Sequence, residues 1–269
     1  MAVSCWLLAI GCFQLPGAKC QVPSANYQLQ FTIEGPVKNF TTDLLQNVYV
    51  LTTESEVVKY TPDGVEQFRY PNKTLGAIGS MDATNPFHIL LFFPEYQNVL
   101  LLDRTLSVSG QFNLFKLGLF QITTVGMSSD NMLWLYDEVG FRLKKITEDG
   151  DIAAESNDLS LTIGKSIHPV QLLEKGQSVF LNDPKEGILV FDVFGQYLKT
   201  LDLKGVTDFQ VLDDELYYCR GGKLSSFHLK SLLERNILLP ADLKAVQKVR
   251  LEKDYIYILG EEGLKVYRY

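Results

Sequence analysis

The chain has 269 residues, of which 46% are hydrophobic and 21% are charged, a composition typical of a globular protein. Its formal net charge of -7 argues against a nucleic-acid-binding groove, because such a groove needs clustered Lys and Arg to displace phosphate counterions. After the N-terminal leader, no apolar run reaches the roughly 18 residues that a helix needs to cross a bilayer.

The leader is an apolar stretch, "AVSCWLLAIGCF", that ends near Ala18-Lys19-Cys20. The small first and third residues of that triplet fit a signal-peptidase site before Gln21. We therefore predict a signal peptide over 1–20 and a single mature domain over 21–269. This leader predicts that the protein is exported.

Cysteine usage agrees with export. Cys5, Cys12 and Cys20 lie in the leader, so only Cys219 remains after cleavage and no intramolecular disulfide can form. "LAIGC" also resembles a lipobox that ends at Cys12, although its apolar segment is short. Lipid anchoring at Cys12 is the less favoured alternative.

Short runs with strand-like hydrophobicity follow one another from Tyr27 onward. The first, "YQLQFTIEG" (27–35), stands alone. A hairpin pattern then recurs, with an apolar strand, a turn that often contains Asp and Gly, and a second strand; it is clearest in "GILVFDVFGQYLKTL" (187–201). The last apolar residues before these turns are spaced 36 to 45 residues apart: Tyr60, Leu102, Ile146, Phe191, Phe227 and Tyr267.

Each hairpin is preceded by another strand and, in most units, by a further short run, so that a unit holds four strands. The strands directly before the hairpins are "NVYVLT", "HILLFF", "MLWLYD", "SVFLND", "ELYYC" and "YIYILG". A four-stranded unit of about 40 residues is typical of one β-propeller blade, which buries its faces against neighbouring blades. Six units predict six blades.

The two ends of the chain support this count. The sixth unit stops at Tyr269 after three strands, and 27–35 is a strand without a unit. If strand 27–35 pairs with the last strand of the sixth unit, the ring closes and an exposed sheet edge disappears. We predict an all-β propeller of six four-stranded blades, with the last blade closed by 27–35. The main alternative is a two-sheet β-sandwich, which would not need a 40-residue period.

One connection is longer than a tight turn. Residues 229–246, "LKSLLERNILLPADLKAV", predict either a linker between strands or a short helix outside blade five.

No catalytic motif is evident. His88, His168 and His228 lie in different units and lack the spacing of metal ligands. A Gly-x-Ser-x-Gly elbow, a Gly-rich phosphate loop and a Cys-x-x-Cys pair are all absent from the sequence. The sequence therefore predicts no catalytic residue and no cofactor.

The best enzymatic alternative rests on carboxylates. Asp43, Asp82, Asp130 and Asp208 lie at or near the junction of the first and second strands in four units. These junctions share one rim of a propeller, where the side chains would converge to bind Ca²⁺ for a lactonase-like hydrolase. The favoured interpretation is that these Asp residues cap turns.

The candidate partner surface is aromatic. In "NPFHILLFFPEY" (85–96), strand alternation sends Phe92 and Phe93 to opposite faces, so that one is expected to be exposed beside Pro94 and Tyr96. Aromatic side chains are enriched at protein interfaces. Packing between blades explains the same residues equally well.

Two stretches resemble NHL-type propeller repeats. In residues 133–152 and 179–201, a strand ends in Asp, a short loop follows, and the next strand leads to an Asp/Gly turn. Asp137 with Gly150, and Asp183 with Gly195, occupy these places. This resemblance implies the fold rather than an activity.

A second resemblance spans most of the mature chain. Residues 82–103, 133–138 and 182–200 are similar to exported propellers of Bacteroidetes bacteria, a group associated with the type IX secretion machinery. It implies a non-catalytic scaffold that binds periplasmic or outer-membrane secretion proteins. The alternatives are the Ca²⁺-dependent hydrolase and a propeller that binds a small ligand or glycan.

Overall fold

The computed structural model describes residues 26–72, 74–241 and 243–269. They form six sheets of four antiparallel strands each, arranged around a central channel as a β-propeller. The predicted fold class and blade count are therefore confirmed. The predicted leader, with Cys5, Cys12 and Cys20, lies outside the described residues.

The blades are built from 24 strands. The innermost strands line the channel: β2 (Val37–Thr42), β6 (Ser80–Asn85), β10 (Ile122–Met127), β14 (Gln171–Lys175), β18 (Phe209–Leu212) and β22 (Lys248–Leu251). The second strands are β3 (Val48–Thr52), β7 (His88–Phe93), β11 (Leu133–Asp137), β15 (Ser178–Asp183), β19 (Glu215–Arg220) and β23 (Tyr255–Gly260).

The outer half of each blade is the recurring hairpin. The third strands are β4 (Val57–Tyr60), β8 (Asn98–Leu102), β12 (Arg142–Ile146), β16 (Gly187–Asp192), β20 (Lys223–His228) and β24 (Gly263–Arg268). The outermost strands are β5 (Glu66–Tyr70), β9 (Val108–Asn113), β13 (Ile152–Glu155), β17 (Tyr197–Leu201), β21 (Glu234–Ile237) and β1 (Gln28–Ile33).

The hydrophobic core lies between blades. Six clusters of buried apolar side chains each join two neighbouring blades, and together they run around the whole ring. A second strand such as β7 is therefore covered on both faces, which explains its unbroken apolar sequence. An outermost strand such as β5 is mostly exposed.

The ring closes through its N-terminal strand, as predicted. β1 pairs antiparallel with β24, so blade six contains β22, β23, β24 and β1. Ile33, at the end of β1, is 6% exposed and packs in the cluster between blades six and one.

Two faces follow from this topology. All inner strands begin at one face, which also carries the turns between second and third strands; we call it the connection face. The opposite face carries the turns from first to second and from third to fourth strands, and we call it the turn face. Because the strands of a blade alternate in direction, each loop is assigned to a face by its place in the repeat.

Within the described ranges, helical structure is limited to two short segments on the connection face. One is a 3₁₀ turn over Leu114–Leu117, and the other is α1 over Leu159–Ile163. In the described part of the chain, no helix has the length and apolarity of a membrane span.

The short helix predicted as one alternative for 229–246 is wrong for the residues that the structure describes there. Residues Glu234–Ile237 form β21 and pair with β20. The connection is longer than a tight turn because it contains the outermost strand of blade five.

Gly187 provides a test of how tightly the outer hairpin is built. It begins β16 at φ +107°, and an added Cβ would lie 2.2 Å from the carbonyl oxygen of Leu201. We expect Gly187→Ala to lower the unfolding free energy by about 2 to 4 kcal/mol, since both the backbone angle and the neighbouring strand must change. Urea unfolding measures the loss.

Gly176→Ala is the matched control. Gly176 also has a positive φ of +62°, but an added Cβ meets no atom within 4 Å. This substitution is expected to lower the unfolding free energy by about 1 to 2 kcal/mol, which is the cost of a left-handed backbone conformation alone. Equal losses in the two variants would contradict a close approach at Gly187.

Candidate functional site

The central channel opens into a cavity of about 350 Å³ near the connection face. Residues of all six inner strands or their flanking loops line it, and most of their side chains are polar. A smaller cavity of about 40 Å³ lies toward the turn face. Arg250 lines both cavities, so its side chain lies between them.

Lys248 connects three blades at the large cavity. Its Nζ donates to Asp208 Oδ1 at 2.7 Å and to Asn39 Oδ1 at 3.0 Å. Lys248 starts β22 in blade six, whereas Asp208 precedes β18 in blade five and Asn39 belongs to β2 in blade one. Burial lowers the pKa of Lys248, although Asp208 opposes this shift.

Arg250 is held by a neighbouring hydroxyl. Its Nε donates to Thr42 Oγ1 at 3.2 Å, and Thr42 Oγ1 donates in turn to Glu252 Oε1 at 2.5 Å. Burial raises the pKa of Glu252, while the hydrogen bond from Thr42 and the charge of Arg250 lower it in part. This chain of contacts joins blade six to blade one at the smaller cavity.

Glu174 joins blades three and four. Its carboxylate accepts hydrogen bonds from Ser128 Oγ at 2.6 Å, Ser129 N at 2.9 Å and Trp134 Nε1 at 2.5 Å. Glu174 is 5% exposed, and burial alone would raise its pKa. The three donors outweigh burial and lower the pKa, so the carboxylate is ionised at neutral pH.

Three glutamines clamp one blade to the next. The side-chain amide of each glutamine binds one residue of the following blade twice. It donates to the backbone carbonyl of that residue and accepts from its backbone N–H. The pairs are Gln97 with Ile122, Gln171 with Phe209, and Gln210 with Leu251. Two backbone hydrogen bonds per glutamine fix the relative height of neighbouring blades.

These contacts between blades were not predicted from the sequence. A usable signal exists for two of the glutamines, because Gln171 begins β14 and Gln210 lies within β18, each between apolar residues in "PVQLL" and "DFQVL". A buried glutamine needs hydrogen-bond partners, so its place in such a strand indicates a contact with a neighbouring blade. Glu174 interrupts the same strand as Gln171 and carries the same signal.

The structure does not bring the four candidate metal ligands together. Asp43 and Asp130 follow inner strands at the turn face, whereas Asp82 lies within β6 and Asp208 precedes β18 at the connection face. The assignment of Asp208 and Asp82 to strand junctions is therefore wrong. Asp82 is the third residue of β6, and Asp208 is the residue just before β18 begins, so neither lies in a turn from first to second strand.

Each of these carboxylates has other partners. Asp43 accepts from Leu45 N and Asn47 N at 2.8 and 2.9 Å, which is the capping role that the sequence favoured. Asp82 accepts from Thr84 N and Met127 N at 2.8 and 2.9 Å. Asp130 and Asp208 form ion pairs with Lys145 and Lys248. Among the described residues, no group of three or more His, Cys, Asp and Glu side chains is arranged to hold a metal ion.

The predicted partner surface needs a correction. Phe92 and Phe93 are 1% and 0% exposed, because blades one and three cover both faces of β7. The expectation that one of them is exposed is therefore wrong. Pro94 and Tyr96 lie in the turn after β7 and are exposed on the connection face.

Tyr96 belongs to a larger exposed group that we call the apolar patch: Tyr96, Phe115, Phe120 and Val139. These side chains are 51%, 45%, 62% and 61% exposed. The rings of Phe115 and Phe120 have centroids 6.3 Å apart. The patch therefore presents a pair of aromatic rings to solvent.

Backbone hydrogen bonds hold the three loops of the apolar patch together. Leu114 N donates to Gln97 O at 2.8 Å, next to Tyr96 and Phe115. Glu138 N donates to Gln121 O at 3.0 Å, next to Val139 and Phe120. All three loops lie on the connection face, in blades two and three and in the segment between them.

Comparison with known proteins supports the fold alone. No family model and no curated protein matches the chain. Among solved structures, a catalytically inactive virginiamycin B lyase from Staphylococcus aureus, determined with quinupristin, is similar with a TM-score of 0.64 at 12% identity; 91% of this chain and 100% of that chain are covered.

Two other similar structures are a β-propeller domain and a WD40 domain. The Cps50 (Swd1) β-propeller of Myceliophteria thermophila has a TM-score of 0.59 at 10% identity, with 91% of this chain and 100% of that chain covered. The Pan2 WD40 domain of Neurospora crassa has a TM-score of 0.58 at 10% identity, with 89% and 83% covered. At such identities the likeness shows a shared propeller fold and leaves activity open.

Proposed function

We propose that this protein is a non-catalytic scaffold that binds a protein partner through the apolar patch on its connection face. The observation that carries the proposal is the exposed pair Phe115 and Phe120, flanked by Tyr96 and Val139 on loops tied together by backbone hydrogen bonds. Exposed aromatic side chains on a rigid support are typical of the anchors that dominate protein interfaces.

The carboxylates favour a scaffold over a hydrolase. Asp43 and Asp82 accept backbone N–H groups, and Asp130 and Asp208 are paired with lysines. These contacts stabilise turns and join blades, and they occupy the oxygens that a Ca²⁺ ion would need.

The proposal includes a location and a class of partner. The predicted signal peptide over 1–20 supports export to the periplasm or the outer membrane. The resemblance of residues 82–103 and 182–200 to PorD, a periplasmic component associated with the type IX secretion machinery, supports secretion proteins as partners.

The test compares variants of the two faces. The double variant Phe115→Ser with Phe120→Ser removes the aromatic pair, and Leu44→Ser with Leu45→Ser is the matched control at the turn face, where these leucines are 67% and 60% exposed. A partner captured from native envelope and identified by mass spectrometry is purified, and its affinity for wild type and both variants is measured.

We expect the aromatic double variant to bind at least about 30-fold more weakly, the loss of about 2 kcal/mol typical of an interface anchor. Both variants should unfold within about 0.5 kcal/mol of wild type, since all four side chains are exposed. Unchanged affinity in the aromatic variant, or a loss confined to the leucine variant, would reject the apolar patch as the binding surface.

A further inference from the structure

The large channel cavity has the size and charge of a site for a small organic anion. Its volume of about 350 Å³ lies within the range of small-molecule sites, about 300 to 1,000 Å³. The ionisable side chains that line it are Lys38, Lys248, Arg250, Asp82 and Asp208. Three cations against two anions give this cavity a formal charge of +1 in a chain whose net charge is -7.

Two of these cations lack an anionic hydrogen-bond partner among the described residues. Lys248 is paired with Asp208, and both oxygens of Asp82 accept backbone N–H groups. Arg250 donates its Nε–H to Thr42 and makes no ion pair with the residues described. The amino group of the exposed Lys38 also makes no ion pair with the described residues. Their donor groups are therefore available to a ligand.

Arg250 is also oriented for binding. Thr42 accepts from its Nε, so the two Nη groups remain to donate to a carboxylate in the forked geometry that guanidinium groups favour. Glu252 lies on the far side of Thr42 Oγ1, and it binds that hydroxyl rather than the guanidinium. Arg250 is thus held in place without being neutralised by a direct ion pair.

We propose that the channel binds a small dicarboxylate, with one carboxylate on the Arg250 guanidinium and the other near Lys38. The two cations lie at different depths, because Arg250 borders the smaller cavity and Lys38 lies near the start of β2. A ligand with two separated carboxylates matches this arrangement better than a single oxyanion. The site lies in the channel and is separate from the apolar patch.

The test measures succinate binding by calorimetry at constant ionic strength, with acetate and inorganic phosphate as comparison anions. Wild type is expected to bind succinate saturably and more tightly than acetate or phosphate. Arg250→Gln and Lys38→Gln should each bind at least about tenfold more weakly, because each loses one charge-assisted contact. The matched control is Arg235→Gln, which removes an exposed cation from the outermost strand β21 and should bind like wild type.

Several results would overturn this assignment. They are the absence of saturable succinate binding, acetate or phosphate binding as tight as succinate binding, and succinate affinity in Arg250→Gln or Lys38→Gln equal to that of wild type. Because Lys38 is exposed, its variant keeps the test valid even if Arg250→Gln weakens folding.

Discussion

A chain that starts at Pro36 is expected to lose at least about 5 kcal/mol of unfolding free energy relative to one that starts at Gln21. The shorter chain lacks β1, so β24 becomes an unpaired edge and the cluster between blades six and one loses Ile33. Burying one large apolar side chain contributes about 1.5 to 3 kcal/mol. β1 also supplies Phe31, and the shorter chain lacks Tyr27, which precedes β1.

Contacts beyond blade six add to this effect. The Phe31 ring covers Gly64 in blade one, where an added Cβ would lie 2.5 Å from it. The Tyr27 hydroxyl donates to Leu238 O at 2.6 Å, after the last strand of blade five. Residues 27–33 therefore contact blades one and five from their place in blade six, and their removal should weaken both interfaces of blade six.

Denaturant unfolding followed by circular dichroism measures the loss. Adding the peptide of residues 26–35 should restore stability in a concentration-dependent way, because it replaces the missing strand. Point variants in the same strand give a matched comparison, since Ile33 is 6% and Leu29 is 53% exposed. Ile33→Asp should lower the unfolding free energy several times more than Leu29→Asp. A chain without β1 that is as stable as the longer chain would contradict closure of the ring by β1.

Glu174→Ala is expected to lower the unfolding free energy at pH 7 by about 3 to 5 kcal/mol, the range for breaking a buried charged network. Trp134 Nε1, Ser128 Oγ and Ser129 N would all lose their acceptor between blades three and four. Glu174→Gln keeps one acceptor oxygen, so its unfolding free energy should lie between those of wild type and the alanine variant. Glu148→Ala, an exposed residue in a turn of blade three, is the control and should stay within about 0.5 kcal/mol.

The same network predicts a dependence on pH. The folded-state pKa of Glu174 is lower than its ordinary value of 4.5. Its contribution to stability is therefore present above that value and is lost as the pH falls through the folded-state pKa. The difference in unfolding free energy between wild type and Glu174→Ala should shrink below about pH 4.5. A difference that stays constant down to pH 3 would show that the ionised carboxylate contributes nothing.

The fold was predictable because it follows from local patterns. Strand alternation, Asp/Gly turns and the spacing of the hairpins repeat along the chain, and the unmatched strands at its two ends indicate closure. All six second strands have the predicted bounds or differ from them by one residue, and β7, β15 and β23 match at both ends. A propeller is well suited to this reasoning because each blade is formed by consecutive residues.

The candidate site was less predictable because it depends on how blades meet. Phe92 and Phe93 alternate between two faces, but both faces are covered by blades that are distant in sequence. The partners of Glu174 lie at least 40 residues earlier in the chain, and Lys248 contacts Asp208 across a similar separation. Periodicity within one blade carries no information on these pairs.

The channel and the apolar patch divide the connection face between two proposed roles. The polar inner strands leave Arg250 and Lys38 for a small anion, and the loops of blades two and three expose Phe115 and Phe120 to a protein. The six apolar clusters and the glutamine clamps hold both regions on one rigid ring. Variants of the patch are therefore not expected to change succinate binding, and variants of the channel are not expected to change partner affinity.

The central claim is that the apolar patch binds a protein partner, and site-specific photo-crosslinking in intact cells tests it most directly. A benzoylphenylalanine placed at Phe120 should give a discrete covalent adduct with one protein, because this side chain is 62% exposed at the centre of the patch. The same probe at Leu44, which is 67% exposed on the turn face, should give no such adduct. Failure to form an adduct at Phe120, or the same adduct from Leu44, would contradict the proposed interaction surface.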